Sequence, residues 1–151
     1  MLSILEKFIP EGKKFRCALD IGCGQGFMTE IIPANEVTGI DISENAVKTA
    51  IKNAKEKELG HIKYSALSLF DVYKLKEKYD FIMITGVMYD IYTNGKIYEI
   101  NELIDNVLEK EGILVSVHIK DHYHAAFPYE KLTSMEYPYR EYIHLLEVYK
   151  K

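Results

Sequence analysis

Two spacings of apolar residues alternate along this chain. Short runs dense in Val, Ile, Tyr and Phe are separated by longer stretches whose apolar positions fall three and four apart, as on one face of a helix. The short runs predict strands over 15–21 (FRCALDI), 36–42 (EVTGIDI), 61–67 (HIKYSAL), 79–85 (YDFIMIT) and 112–119 (GILVSVHI). Helices are predicted over 26–32, 44–59 and 97–110. The middle helix carries the clearest punctuation, with Ser43 as N-cap, Ala46, Ala50 and Ala54 recurring at fours, and Gly60 as its stop. Strand and helix in alternation is the rhythm of βαβ units joined into a parallel sheet.

After residue 119 the rhythm changes. The last stretch shows no helical stripe and predicts two more strands, over 130–137 and 141–149, with YPYR as the turn. So short a connection makes that pair antiparallel. There is no internal repeat, low-complexity segment or linker rich in Pro, Gly or Ser, so residues 1–151 are expected to form a single domain. A length of 151 residues with 48% hydrophobic content suits one core.

Composition then removes several classes of partner. With a net charge of −4 and Lys and Arg spread along the chain, no basic footprint for nucleic acid is present, and none is expected as a partner. No run approaches the ~18 apolar residues of a membrane helix, and the opening MLSILEKFIPEGKK is too short and too charged for a secretory signal. A cytoplasmic protein without membrane insertion is the expectation. The two cysteines, Cys17 and Cys23, are too few for a disulfide framework or a four-ligand zinc site and read as reduced thiols.

The chemistry begins at CALDIGCGQGFMTE, where the first strand enters a turn of alternating glycines. Two ligand classes use a glycine turn at this place in such a sheet, dinucleotides and S-adenosyl compounds. The dinucleotide pattern G-x-G-x-x-G, counted from Gly22, would need glycine at Phe27. The pattern is instead D-x-G-x-G-x-G, with Asp20, Gly22, Gly24 and Gly26. An acid beside the turn suits a cation better than a pyrophosphate. A second acid, Asp41, follows about twenty residues on, where doubly wound folds place a carboxylate on a ribose diol. The two acids match a nucleoside carrying a positively charged amino-acid tail, and Asp41 alone could also be read as a helix cap.

At these residues the chain resembles the class I S-adenosylmethionine-dependent methyltransferases. LDIGCGQG looks like their first motif and VTGIDIS like their second-strand acidic motif; YDFIMITGVMYDI and EKEGILVSVH look like their fourth and fifth strands. ITGVMYDI, ILVSVHIKD and the ending YIHLLEVYKK are similar to the small NodS-like members, which methylate an amine on a glycan precursor. The resemblance implies a Rossmann-like, doubly wound α/β fold: a mostly parallel seven-stranded sheet, a C-terminal antiparallel β-hairpin, and helices on both faces. It also implies S-adenosyl-L-methionine as cofactor, with S-adenosyl-L-homocysteine as product. Gly22, Cys23, Gly24, Gly26 and Phe27 would shape the turn, and Asp20 would organise it or receive the ligand's ammonium. Asp41 would take the ribose hydroxyls and Ile42 would lie against the adenine. Ser68, Leu69 and Phe70 would read the adenine edge and ring, with a hydroxyl at Ser68 where many members have an aspartate. Thr85 closes the cofactor set.

Methyl transfer depends first on alignment, and a base is needed only if the acceptor is protonated. The carboxyl ends of the fourth and fifth strands put Tyr89, Asp90, Tyr92, His118 and Asp121 in range of an acceptor. His118 is the first choice for a base, because an unperturbed imidazole titrates near neutral pH, and Tyr89 and Asp90 would orient an amine. His118, His122 and His124 with Asp121 do not share one face, so no metal site is expected. The tyrosines of the last strands read as sheet packing. Little chain precedes residue 15 or separates the last strands, which predicts an open crevice suited to a large acceptor or completed by a second copy in a homodimer. The acceptor itself, whether amino sugar, glycan precursor, other small molecule or protein, stays open. So does a non-catalytic S-adenosyl-binding subunit that works with a partner chain.

Overall fold

The computed structural model describes Lys7, residues 14–122 and residues 127–151. One sheet of seven strands runs through it in the order β3-β2-β1-β4-β5-β7-β6. These are β1 (Phe15–Ile21), β2 (Ala34–Asp41), β3 (Ile62–Ala66), β4 (Tyr79–Thr85), β5 (Leu108–Ile119), β6 (Glu130–Tyr139) and β7 (Tyr142–Lys150). The first five are parallel to one another, whereas β7 lies antiparallel to β5 and to β6. Strands buried on both faces read as unbroken apolar runs, and β4 is the clearest case: Tyr79, Phe81, Ile82, Met83 and Ile84 are all inaccessible.

Helices lie on both faces, as expected. On one, α3 (Ile97–Val107) sets Ile100 and Ile104 against Leu19, Ile21 and Ile82 of the sheet. On the other, α1 (Glu44–Glu56) buries Val47, Ala50 and Ala54 over β2 and β3. Ser43 caps α1 as predicted, its hydroxyl accepting the Ala46 amide at 3.3 Å. A short third helix, α2 (Asp90–Thr93), bridges β4 and α3.

Three expectations need correction. The helix expected over 26–32 is a single 3₁₀ turn, Thr29–Ile31, because Gly26 stands at φ +89° and Ile32 is extended ahead of Pro33. The helix expected to reach 110 stops at Val107, and β5 begins at Leu108. A register shift opposite Tyr79 and Phe81, with Glu111 at φ 65°, divides that strand's start from its buried body. The last turn falls at Arg140 and Glu141 rather than at YPYR. Pro138 instead sits inside β6 opposite Ile143, tolerated because β6 is an edge strand.

Candidate active site

The switch point of the sheet lies between β1 and β4, where connections leave in opposite directions and a crevice opens at the carboxyl ends. β1 delivers the glycine turn to that place. The Ile40 carbonyl accepts the Gly22 and Cys23 amides at 2.8 and 3.0 Å, folding the turn over the end of β2. Asp41, the last residue of β2, completes the closure: Oδ2 accepts the Gly24 amide at 2.9 Å and Oδ1 the Ser43 amide at 2.8 Å. One half-buried carboxylate thus joins the turn to the start of α1 and retains lone pairs toward the crevice.

The three glycines answer three different constraints, all at positive φ. A Cβ on Gly22 would stand 2.5 Å from the Thr85 carbonyl oxygen and 2.5 Å from a Val87 methyl, so Gly22 is set by the approach of β4. A Cβ on Gly26 would meet the Tyr64 ring, 2.9 Å from Cζ. Only Gly24 faces open space, with nothing within 4 Å. Of the three, Gly22 lines the crevice, and at Gly22 and Gly26 the positive φ and the close neighbours together exclude a side chain.

Asp20 lies under the turn, 1% exposed, and does not line the crevice. Its Oδ2 accepts the Thr29 hydroxyl at 2.6 Å, and Oδ1 has no hydrogen-bond partner among the described residues. Burial pushes its pKa up to about 7, and the nearby Asp41 charge adds to the rise. Cys23 is buried beside it, and desolvation pushes its thiol up to about 12, so it stays protonated. Phe27 is 64% exposed and does not line the crevice.

The crevice itself measures about 600 Å³. Gly22, Asp41 and Ile42 form one wall, and Ser68, Leu69 and Phe70 another. Thr85 lines it as well, with a buried hydroxyl that has no partner among the described residues. Ser68 caps the 3₁₀ turn Leu69–Leu75, its oxygen accepting the Phe70 amide at 3.2 Å, which leaves the hydroxyl proton to donate elsewhere. Lys96 stands over the Phe70 ring, 5.3 Å from its centroid. Sequence reasoning missed Ile91 and Thr93 of α2, and placed Tyr92 only near the acceptor although it also lines the crevice. The Gly86 turn after β4, at φ 66°, was the available signal.

The residues expected at the acceptor end are not gathered in one place. The Tyr89 hydroxyl accepts the Ile119 amide at 2.8 Å, tying the loop after β4 to the end of β5. The Tyr89 ring lies 6.4 Å from the rings of both Tyr92 and His122, and His122 is 5.8 Å from Tyr142. Asp90 is exposed at the start of α2. His118 is buried among β5 and β7, its Nδ1 3.3 Å from the Ser116 hydroxyl, and does not line the crevice. Desolvation drops its pKa to about 4, with the Glu147 charge opposing the fall. The reason for choosing His118, titration near neutral pH, therefore does not hold. His124 lies outside the described residues.

Comparison with known proteins agrees with this geometry. A family model described as a methyltransferase domain matches residues 14–146. The NodS N-methyltransferase of Bradyrhizobium japonicum, also solved with S-adenosyl-l-homocysteine, superposes with a TM-score of 0.81 at 18% identity, over 99% of this chain and 93% of that one. TehB of Haemophilus influenzae gives 0.74 at 18% identity, over 99% of this chain and 61% of that one. A ribosomal protein L11 methyltransferase of Dictyoglomus turgidum is 28% identical over 117 residues, 76% of this chain and 35% of that protein. The chain thus spans about a third of the length of the curated relatives it matches first. A glycine turn stitched to a strand-end acid at the switch point, on this sheet order and inside that match, places the chain in the methyltransferase domain family, of the class I S-adenosylmethionine-dependent type.

Proposed function

We propose that the chain binds S-adenosylmethionine in the β1–β4 crevice and transfers its methyl group to a nitrogen or oxygen of an acceptor, an amino sugar or glycan precursor being the first candidate. The observation that carries this reading is Asp41, whose carboxylate holds Gly24 and Ser43 in place while facing the crevice. The residues present fit the cofactor. Asp41 keeps acceptor capacity for a ribose diol, Ile42 and Leu69 offer apolar surface to a base, and the crevice beside Gly22 leaves room for an amino-acid tail. When bound, the cofactor supplies an electrophilic methyl group on a sulfonium.

The chain's own part is alignment and exclusion of water. The Tyr89 link to Ile119 fixes the loop that borders the acceptor side, and Tyr92 joins cofactor crevice to acceptor side. Asp90 and Tyr89 would orient an amine there. The L11 relatives favour a second reading, a protein substrate. Titration with S-adenosylhomocysteine tests the cofactor: micromolar binding is expected, and none would overturn the reading. Radiolabelled methyl transfer to amino sugars and to lysine-rich peptides then separates the two acceptors, and binding without any transfer would leave an S-adenosyl-binding subunit.

A further inference from the structure

Gly39 poses a question that the cofactor does not answer. It lies in the interior of β2, its φ is outside the left-handed region, and glycine there weakens a strand unless something approaches closely. What approaches is Tyr64. On β3 it is the register partner of Gly39, and a Cβ on Gly39 would stand 2.6 Å from Cδ1 and 2.8 Å from Cε1 of its ring. The same ring continues beneath the glycine turn, where its hydroxyl end occupies the space a Cβ on Gly26 would need. At both glycines the nearest atoms belong to this one side chain, followed by Cys23 Cβ at 3.1 Å from the Gly39 position and Ala50 Cβ at 3.3 Å from the Gly26 position.

The far end of that side chain is buried under the turn. The Tyr64 hydroxyl is buried beside the Thr29 side chain, with Cys23, Glu30 and Asp20 also near it. Burial of the phenol pushes its pKa up to about 12, so it remains neutral beside those acids. Thr29 is also the donor to Asp20, so ring and turn share a neighbour.

We propose that Tyr64 is a positioning residue for the cofactor site: its ring is a strut from β3, across Gly39, to Gly26, and it sets the height of the glycine turn above β2. The Gly24 amide is then held where Asp41 can accept it. The proposal rests on the cofactor reading for its link to affinity, but its structural core can be tested without ligand.

The test is a double-mutant cycle on Tyr64→Ala and Gly39→Ala, read by S-adenosylhomocysteine affinity and by amide hydrogen exchange. Each single variant is expected to weaken binding at least tenfold. The double variant is expected to be no weaker than the worse single, because alanine at 39 does harm chiefly by displacing the ring. Tyr64→Phe keeps the strut and should bind within threefold of the parent. In the ligand-free protein, the Gly22, Cys23 and Gly24 amides of Tyr64→Ala should exchange at least tenfold faster while β4 amides stay protected, which also shows that the sheet is folded. Additive losses, parental affinity in Tyr64→Ala, unchanged turn exchange, or a Tyr64→Phe as weak as Tyr64→Ala would each overturn the strut. A parent that does not bind the ligand would sink the cofactor reading instead, and the exchange result would still decide the strut.

Discussion

The glycine-turn crevice and the aromatic cluster that meets it at Tyr92 are built by different means. At the cofactor end, backbone amides of one turn are gathered by the Ile40 carbonyl and the Asp41 carboxylate, with Asp20 and Thr29 buried below. Beyond Tyr92, where the acceptor is proposed to bind, Tyr89, Tyr92, His122 and Tyr142 form a chain of ring contacts, and the one hydrogen bond described there, from the Ile119 amide to Tyr89, ties a loop to a strand end. Charge-assisted bonds to backbone fix atoms to within tenths of an ångström, whereas ring contacts at about 6 Å permit rotation and repacking. A ligand common to many enzymes can use the first kind of site. A variable acceptor needs the second.

Substitution at Asp41 should break this contrast most sharply. Asp41→Ala is expected to weaken S-adenosylhomocysteine binding by at least 100-fold, about 2.7 kcal/mol, since the turn loses its clamp together with the ribose acceptor; calorimetric titration measures it. Gly22→Ala should follow, with a loss of stability of about 2–4 kcal/mol in urea unfolding, because the new methyl meets the backbone of β4 at positive φ. Gly24→Ala carries only the positive-φ cost, roughly 1–2 kcal/mol, and its main effect should be on affinity, because strain there disturbs the amide that Asp41 accepts. If Gly22→Ala and Gly24→Ala lose stability equally, the separate roles of the glycines are wrong.

Asp20 sharpens the comparison through pH. Its folded pKa, about 7, is raised above the ordinary 3.8, so its contribution to stability is complete below pH 3.8 and is lost as pH rises through about 7. Asp20→Asn removes that loss. It should be more stable than the parent above pH 7, yet bind the cofactor no better, and unfolding curves at pH 5 and pH 8 check the crossover. The smallest effect is expected at the other end: Tyr89→Phe strips the acceptor from the Ile119 amide at a cost of about 1 kcal/mol. It should lower methyl transfer severalfold while leaving S-adenosylhomocysteine affinity unchanged. Loss of cofactor affinity in that variant would show that the two ends are not independent.

Legibility in the sequence followed the same division. Asp41 was identifiable from its place at a strand end, and Ile42, Ser68, Leu69, Phe70 and Thr85 through the family resemblance; all six line the crevice. Asp20 and Phe27 were legible as part of a motif but not in position, since one is buried beneath the turn and the other points to solvent. His118 misled because its pKa depends on what covers β5, and that cover comes from β7, far along the chain. The predicted helix over 26–32 failed for a local reason that was readable, six residues confined between Gly26 and Pro33.

What the sequence by itself determined was everything set by neighbours within a few residues. Dense apolar runs specified the strands, Ser43 began a helix that ends at Glu56 ahead of the expected stop at Gly60, and D-x-G-x-G-x-G with a later acid pointed to the ligand class. What only the tertiary structure decided was which surface each of those residues meets. Gly22 answers to β4, Gly26 and Gly39 to a tyrosine on β3, and Asp41 to an amide seventeen residues earlier in the chain. Steric fit and desolvation are properties of the packed interior, and chain order records neither until the strands are side by side.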